Sequence, residues 1–305
     1  MEQTDETATV RLSPLMAWQL AAPHTWPAAI LPVLVAAGCA VGMTGHLNVP
    51  MTWLLLAICI LMQSSVNTFN DYFDYVKGTD TADDNVEASD SVLVYNNVNP
   101  KAALALAIGF LATAFLLGIY VIYCAGPVPL AIALVGAVIV VAYSGGKTPI
   151  SYLPIGEAVS GIVMGGLIPL ACYQVLTGEL TALALVWAIP TIIGVGLIMM
   201  TNNTCDIEKD IEAARKTLPV LLGRPRARAL YHGLLITWAV AIIVIVAVWF
   251  SRGIVVLPFM ALAAYPLMRA LWLNPLAPAS RIGAMGQICS VNVALGAFYA
   301  AALFL

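Results

Sequence analysis

The sequence contains little charge and little histidine. Only 10% of its 305 residues are Asp, Glu, Lys or Arg and 3 are His, whereas 61% are hydrophobic and the mean hydropathy is +0.93. A soluble protein of this length could not bury so much apolar surface. The composition therefore excludes a soluble globular domain and predicts an all-α polytopic membrane protein that exposes its apolar surface to lipid.

The 6 cysteines lack the spacing of a disulfide framework or a zinc site, because none of them lies in a C-x-x-C pair. We expect them to be small buried hydrophobic residues. The sequence also lacks a basic stretch before its first apolar run and a small-residue cleavage pattern after it. Residues 1–25 are therefore predicted to be an uncleaved polar tail rather than a signal peptide.

Apolar runs long enough to approach the membrane thickness follow the tail, and they predict nine transmembrane helices in a single domain, 26–305. The predicted spans are Trp26–Thr44, Thr52–Asn70, Ala102–Cys124, Val128–Tyr143, Ile155–Leu176, Ala182–Thr201, Leu230–Phe250, Ile254–Leu273 and Ile282–Leu305. All but one of the 13 Lys and Arg residues fall on one side of these spans, the exception being Arg252. Since cytoplasmic loops are enriched in Lys and Arg, the tail is predicted to be cytoplasmic and Leu305 to lie outside a cell (inner or plasma) membrane.

Two clusters of carboxylates and amides follow predicted spans at the cytoplasmic side. Motif 1 follows the second span and comprises Asn70, Asp71 and Asp74, with Asp80 further along the chain. Motif 2 follows the sixth span and comprises Asn202, Asn203, Asp206 and Asp210. Residues four apart share a helical face, so each motif is predicted to present an oxygen-rich wall.

A single Asp-x-x-x-Asp pattern on a loop is usually a solvated face. Two amide-flanked copies at the membrane boundary favour instead a shared site in which metal ions compensate the acids. Carboxylate and phosphate oxygens are the ligands that Mg²⁺ prefers, so a diphosphate is the expected partner. The two copies are also consistent with a weak internal repeat of about 26–143 and 155–273.

Cations and aromatic residues accompany the two motifs. Lys147 follows two glycines at the end of the fourth span and suits a phosphate, as do Arg215 and Lys216 after motif 2. Tyr143 and Tyr152 flank the Lys147 segment, where they are either interfacial anchors or groups that face a substrate. We expect Glu157 to be interfacial or to face a substrate cavity. Close helix packing is the predicted role of Gly161, Gly165 and Gly166. Ordinary loop acids are expected at Asp83, Asp84, Glu87 and Asp90.

These motifs resemble the two aspartate-rich motifs of the UbiA superfamily of intramembrane prenyltransferases. The similarity covers essentially the whole chain and includes Asn70-Asp71-x-x-Asp74, Gly145-Gly146-Lys147-Thr148-Pro149 and Asp206-x-x-x-Asp210. Within the superfamily the details around Asp80 and Arg215-Lys216-Thr217-Leu218 resemble the menaquinone-pathway branch, whose members prenylate 1,4-dihydroxy-2-naphthoate. Three departures are Gly78 in place of a third aspartate of motif 1, Thr148 in place of an arginine after Lys147, and Ala22-Pro23 in place of an Arg-Pro pair.

The resemblance implies nine helices around a central cavity that is open to lipid, with cytoplasmic cap loops. It implies a Mg²⁺ cofactor, a polyprenyl diphosphate donor, an aromatic acceptor and the lipid bilayer as partners, with no nucleic acid. The implied metal ligands are Asn70, Asp71, Asp74, Asp80, Asp206 and Asp210. The implied catalytic residues are Asp71, Asp74, Asp206, Asp210 and Lys147, and the implied substrate-binding residues are Asn70, Asn202, Asn203, Lys147, Tyr143, Tyr152, Arg215 and Lys216.

The expected reaction is metal-assisted ionisation of the allylic diphosphate and capture of the allylic cation by an electron-rich aromatic carbon. For dihydroxynaphthoate the reaction also releases CO₂ and gives demethylmenaquinone. Alternatives with the same chemistry use 4-hydroxybenzoate, a glycerol phosphate lipid or haem as the acceptor. An alternative of another class is a secondary transporter, although its ionisable residues would normally lie near the middle of the bilayer.

Overall fold

The computed structural model describes residues 10–77, 92–93, 98–144 and 148–305, and within these ranges the side chains of all residues except Asp74, Lys77 and Ser144. Apart from an isolated bridge between Val10 and Val98, the regular structure in these ranges is helical. The main helices are α1 Pro14–Leu20, α2 Pro27–Thr44, α3 Val49–Lys77, α4 Pro100–Ala125, α5 Val128–Ser144, α6 Gly156–Thr177, α7 Leu183–Trp187, α8 Ile189–Cys205, α9 Ile207–Glu212, α10 Leu218–Leu222, α11 Arg224–Trp249, α12 Leu257–Leu273 and α13 Arg281–Leu303.

Among the described residues, seven stretches of helix are long and apolar enough to cross a membrane. They are Pro27–Thr44, Val49–Phe73, Pro100–Ala125, Gly156–Thr177, Arg224–Trp249, Ser251–Leu273 and Pro278–Leu303. Two further apolar helices, Val128–Tyr143 and Ile189–Cys205, are shorter and coincide with the predicted fourth span and most of the sixth. The prediction of an all-helical chain with multiple membrane helices is confirmed, whereas the count of nine spans stays a prediction.

Two predicted spans are less regular than expected. The sixth span divides at Ala188 into α7 and α8, because Pro190 near the start of α8 has no backbone N–H to continue the preceding turn. The fifth span, α6, contains a π-helical segment, Gly161–Leu167. Such segments usually mark a local packing or functional constraint.

The first compact unit takes in Met1–Trp26 and Ala57–Gly118. Its core includes Leu20, Val92, Leu93, Val98 and Ala103. The predicted tail therefore contains a helix, α1, whose last residue is packed in this core. With 29 residues, α3 is about 44 Å long and exceeds the hydrocarbon thickness of about 30 Å, so its polar carboxyl end extends past the apolar span.

The second compact unit comprises Pro27–Leu56 and Ile119–Leu305. Within it α8 packs against α6, α11 and α13, and α2 packs against α13 and α6. Two hydrogen bonds between buried groups support this packing: the Tyr299 hydroxyl donates to the Trp187 carbonyl (2.7 Å), and Thr201 and Tyr231 share a 2.7 Å bond. Motif 2 therefore lies at the carboxyl end of a helix, α8, that is held by packing against three other helices.

All six cysteines are free. Cys39, Cys172 and Cys205 are buried as predicted, but Cys124 is exposed, since its stretch of α4 has few neighbours within the unit.

Candidate functional site

Motif 1 lies at the carboxyl end of α3, in the first unit. Asp71 is buried, with 8% of its surface exposed, while the neighbouring Asn70 is exposed because successive helical residues point about 100° apart. One turn earlier, the Asn67 amide donates to the Ala21 carbonyl (3.0 Å) and the Thr25 hydroxyl (2.8 Å). These bonds fix the end of α3 against the segment that follows α1.

Three sequence-predicted residues of the site are not fully described. Asp74 lies in α3, but its side chain is outside the described part of the structure, as are Asp80, Lys147 and the glycines before Lys147. Their predicted roles stay predictions.

Motif 2 lies where α8 passes into α9. The spacing predicted a continuous helix through the motif. Instead, Asp206 leaves helical geometry (φ −99°, ψ 18°), and α8 ends there. Even so, the Asp206 N–H donates to the Asn202 carbonyl (3.0 Å) and the Asp210 N–H to the Asp206 carbonyl (2.8 Å). The three residues therefore keep their one-turn spacing across the bend.

Arg281, the first residue of α13, binds two members of motif 2. Its Nε donates to both carboxylate oxygens of Asp206 at 3.0 Å, and its Nη2 donates to Asn202 Oδ1 at 2.6 Å. Asn202 and Asp206 consequently point to the same side, as predicted. Sequence analysis missed Arg281 as a site residue, because a single arginine 75 residues further along the chain gives no local signal.

Asp210 is the most buried acid of motif 2, with 3% of its surface exposed. The Thr217 hydroxyl donates to its Oδ2 (3.0 Å), and Arg215 Nη1 lies 3.5 Å from its Oδ1. Burial raises the pKa of Asp210 above its ordinary value, although Thr217 and Arg215 act in the opposite direction. A bound cation would offset the cost of keeping this carboxylate charged.

The turn before α6 joins motif 2 through the backbone. The Lys216 N–H donates to the Tyr152 carbonyl (2.8 Å), and the Arg215 guanidinium lies over the Tyr152 ring, 4.8 Å from its centroid. One face of Tyr152 is thus already occupied by a cation, which leaves only the other face for a substrate. Tyr143 is half-buried, and its hydroxyl lies close to Gly156.

Glu157 and Asn203 form a buried pair in which Asn203 Nδ2 donates to Glu157 Oε1 (2.8 Å). Only 5% of Glu157 is exposed, and its two predicted placements, interfacial or facing a substrate cavity, both stay predictions.

Glu208 lies between Asp206 and Asp210 of motif 2 and has a different partner from either of them. Arg224 forms a fork with it, Nη1 to Oε1 at 2.8 Å and Nη2 to Oε2 at 2.7 Å, and this bond lowers the pKa of Glu208 to about 2. Both oxygens of Glu208 are therefore engaged within the protein.

The donor set of motif 2 fits a hard divalent cation. Asp206 and Asp210 supply carboxylate oxygens that keep free lone pairs beside the bonds from Arg281 and Thr217, and Asn202 adds an amide oxygen. Within the described ranges no group of three or more His, Cys, Asp or Glu residues is close enough to hold a metal ion. Motif 2 therefore supplies oxygen atoms of the kind that bind divalent cations, and its role in a metal site stays a prediction.

Comparison with known proteins identifies relatives of this chain. It is 31% identical over 210 residues to 1,4-dihydroxy-2-naphthoate octaprenyltransferase of Bacillus subtilis, and the matched region covers 69% of this chain and 67% of the relative. It is 28% identical over 257 residues to the enzyme of the same name from Mycobacterium tuberculosis, with 81% and 84% covered.

A solved structure has a similar fold. A UbiA homologue from Archaeoglobus fulgidus, bound to GPP and Mg²⁺, superposes with a TM-score of 0.63 at 18% identity, covering 94% of this chain and 99% of the homologue. Residues 29–285 match the UbiA prenyltransferase family. The chain belongs to this family and is a membrane-bound prenyltransferase.

Proposed function

We propose that this protein transfers a polyprenyl group from polyprenyl diphosphate to 1,4-dihydroxy-2-naphthoate, with loss of CO₂ and diphosphate, to give the quinol form of demethylmenaquinone in menaquinone biosynthesis. The observation that carries the choice of acceptor is the 31% identity to a 1,4-dihydroxy-2-naphthoate octaprenyltransferase over 69% of the chain. The alternative of a secondary transporter is excluded, because the chain belongs to a family of prenyltransferases.

Mg²⁺ is the proposed cofactor, and carboxylates of the two motifs would hold it when the diphosphate binds. Asn202 and Asn203 are proposed to bind the substrate, and the proposed metal ligands from motif 2 are Asp206 and Asp210. Those from motif 1 are Asn70, Asp71, Asp74 and Asp80. Support comes from the hard-oxygen donor set at the end of α8 and from the Mg²⁺ bound with GPP in the homologue of the same fold. When bound, the cation would neutralise negative charge on the departing diphosphate.

The protein's own residues then orient the reactants. Arg281 holds Asp206 and Asn202 in one orientation, so these two side chains need no reorganisation when the diphosphate arrives. Lys147, Arg215 and Lys216 are proposed to bind phosphate oxygens. As the C–O bond to the diphosphate breaks, an aromatic carbon of the acceptor forms a bond to the allylic carbon. Tyr143, with the open face of Tyr152, is proposed to line the path of the allylic cation.

The proposed setting is a nine-helix ring around a cavity that is open to lipid, in the cell membrane. The amino terminus and the cap loops are proposed to be cytoplasmic and the carboxyl terminus to lie outside. Seven membrane-length helices with two shorter apolar helices support the number, and the one-sided Lys and Arg distribution supports the orientation.

The test is a prenyl transfer assay with the purified protein. Mg²⁺, a polyprenyl diphosphate and each of several acceptors are supplied, and the products are identified by mass spectrometry. We expect a prenylated naphthoquinol lighter by CO₂ than the simple adduct, and no product when EDTA is present. Product from 4-hydroxybenzoate but not from the naphthoate would overturn the choice of acceptor while leaving the prenyl transfer chemistry intact.

A further inference from the structure

Glu157 is a buried acid that the proposed metal and diphosphate chemistry does not use. It is the second residue of α6 and has 5% of its surface exposed. An ionised carboxylate is costly to remove from water unless its oxygens receive hydrogen bonds. A buried glutamate at this point therefore indicates that something satisfies it.

Only one of its two oxygens is satisfied within the described part of the chain. Oε1 accepts a hydrogen bond from Asn203 Nδ2 at 2.8 Å, whereas Oε2 is enclosed and has no hydrogen-bond partner there. Asn203 is the residue after Asn202 in motif 2. Its bond to Glu157 therefore holds the second carboxylate oxygen, Oε2, near the proposed diphosphate site. The Tyr143 hydroxyl lies beside Gly156, the residue before Glu157, so the neighbourhood is both aromatic and polar.

An ionised carboxylate oxygen such as Glu157 Oε2 accepts hydrogen bonds, so its ligand must carry a donor. A diphosphate has no proton to donate near neutral pH and repels a carboxylate. A phenolic hydroxyl donates a short, charge-assisted hydrogen bond to a carboxylate. The proposed aromatic acceptor carries two such hydroxyls, and a prenyl diphosphate carries none.

We infer that Glu157 binds a ring hydroxyl of the aromatic acceptor through Oε2, with Asn203 holding the carboxylate in position. This inference rests on the proposed function, because it names a contact of the same acceptor. The bond orients the ring toward the allylic carbon, and it increases electron density on the ring by partial withdrawal of the hydroxyl proton.

The test compares wild-type protein with Glu157→Gln in lipid nanodiscs. The ligands are 1,4-dihydroxy-2-naphthoate and its analogues 1-hydroxy-2-naphthoate and 4-hydroxy-2-naphthoate, which each lack one hydroxyl. Binding is measured without diphosphate, so turnover does not contribute. For the full acceptor we expect Glu157→Gln to raise Kd about tenfold or more, and in the assay to raise its KM while the KM for polyprenyl diphosphate changes less than about twofold.

The analogues separate a direct contact from a structural role. For the analogue that lacks the bound hydroxyl, wild-type and variant proteins should have similar Kd values, because the carboxylate then has nothing to bind. An equal penalty for all three ligands would mean that Oε2 has an internal partner and would overturn the inference. Equal binding of the full acceptor by both proteins would also overturn it.

Two further variants complete the design. Glu179→Gln removes an exposed carboxylate and should leave every constant unchanged. Asn203→Ala keeps the Glu157 carboxylate, so it should raise the Kd of the full acceptor while keeping the preference for ligands with the bound hydroxyl. If Glu157→Gln fails to fold, equal Kd values of the wild-type protein for the three ligands overturn the inference, because neither hydroxyl then contributes to binding. If the wild type does not bind the naphthoate, the proposed function fails, and the same comparison with the phenolic acceptor found in the panel decides the role of Glu157.

Discussion

At the residue scale, the acids of motif 2 are distinguished by their partners rather than by their spacing. Asp206 and Asn202 both accept hydrogen bonds from Arg281. Glu208, which lies between the two aspartates of the motif, binds Arg224 through both oxygens. Asp210 is buried and accepts a hydrogen bond from Thr217. Glu208 and Asp206 each bind an arginine through both carboxylate oxygens, and the cation ligands that we propose are Asp206 and Asp210.

The first prediction concerns one carboxylate from each motif. Asp74→Asn and Asp206→Asn should each lower kcat by at least about a hundredfold, because an amide loses the charge that binds and offsets a cation. Expression and detergent stability should change little. Near-wild-type turnover of either variant at saturating Mg²⁺ would contradict a metal site shared by the two motifs.

The second prediction uses the lowered pKa of Glu208. Its folded-state pKa is about 2 and its ordinary value is 4.5, so the Arg224 bond stabilises the fold above about pH 4.5 and that stabilisation is lost as the pH falls toward 2. Since the side chain of Glu208 is 55% exposed, solvent screening limits the effect to about 1 kcal/mol or less.

Melting curves of the EDTA-treated protein check this prediction. Glu208→Gln should lower Tm at pH 7, and the difference from wild type should shrink between pH 4.5 and pH 3. Glu212→Gln removes a neighbouring exposed acid and serves as the matched control. A Tm difference that stays constant with pH would mean that the ionised pair does not stabilise the fold.

At the element scale, glycines set how closely α6 approaches α8. A methyl group added at Gly165 would overlap the backbone of Thr191 and Ile192, and the Thr191 hydroxyl donates to the Gly165 carbonyl at 2.6 Å. Gly161 makes a similar approach to Ile192 and Gly196. The predicted packing role of these glycines is confirmed, and it positions Glu157 of α6 against Asn203 of α8.

The third prediction follows from this close approach. Gly165→Ala should destabilise the fold by about 1–3 kcal/mol or more, because the backbone atoms it meets cannot move aside as a flexible side chain can. Thermal unfolding in detergent and yield in membranes measure the effect. Gly233→Ala is the control, since a methyl group there meets no atom within 4 Å and should be neutral or slightly stabilising.

The fourth prediction tests α13 as a support for motif 2. Arg281→Lys keeps the charge but loses the fork that reaches Asp206 and Asn202 together, so kcat should fall about tenfold or more and the Mg²⁺ concentration for half-maximal activity should rise. Arg269→Lys changes an exposed arginine of α12 and should have no effect. If the lysine variant needs no more Mg²⁺ than wild type, Arg281 is not a positioning residue for the metal site.

At the scale of the whole molecule, the apolar surface is that of a protein in lipid. Leu262 of α12 is 78% exposed and Phe115 of α4 is 65% exposed, and only 17% of the most apolar window of each of these helices is buried. Exposed apolar side chains at this density would be unfavourable in water but are favourable in a bilayer.

The fifth prediction applies to the intact protein in a cell. Expression should restore menaquinone in a bacterium that lacks its own naphthoate prenyltransferase, because the acceptor and the bilayer are both supplied there. It should fail in a mutant that lacks the 4-hydroxybenzoate prenyltransferase of the ubiquinone pathway. Quinones extracted from the membranes and measured by mass spectrometry decide between the two outcomes, and the reverse pattern would overturn the acceptor assignment. An Asp206→Asn strain serves as the inactive control.

The sequence by itself determined the membrane class, the positions of the apolar helices and the two acidic motifs. These features depend on composition and on residues close together in the chain, where hydrophobicity and helical periodicity act directly. Two predicted spans differ from the structure in their interiors, at Ala188 and in the π-helical segment, because a proline and close glycine packing override the apolar pattern there.

Only the tertiary structure decided which partner each polar residue takes. Arg281 reaches Asp206 across 75 residues and Asn203 reaches Glu157 across 46, and nothing near either residue in the sequence indicates the other. Such pairs form because helices distant in sequence pack side by side, and a buried polar group must then bond to whatever that packing brings within reach.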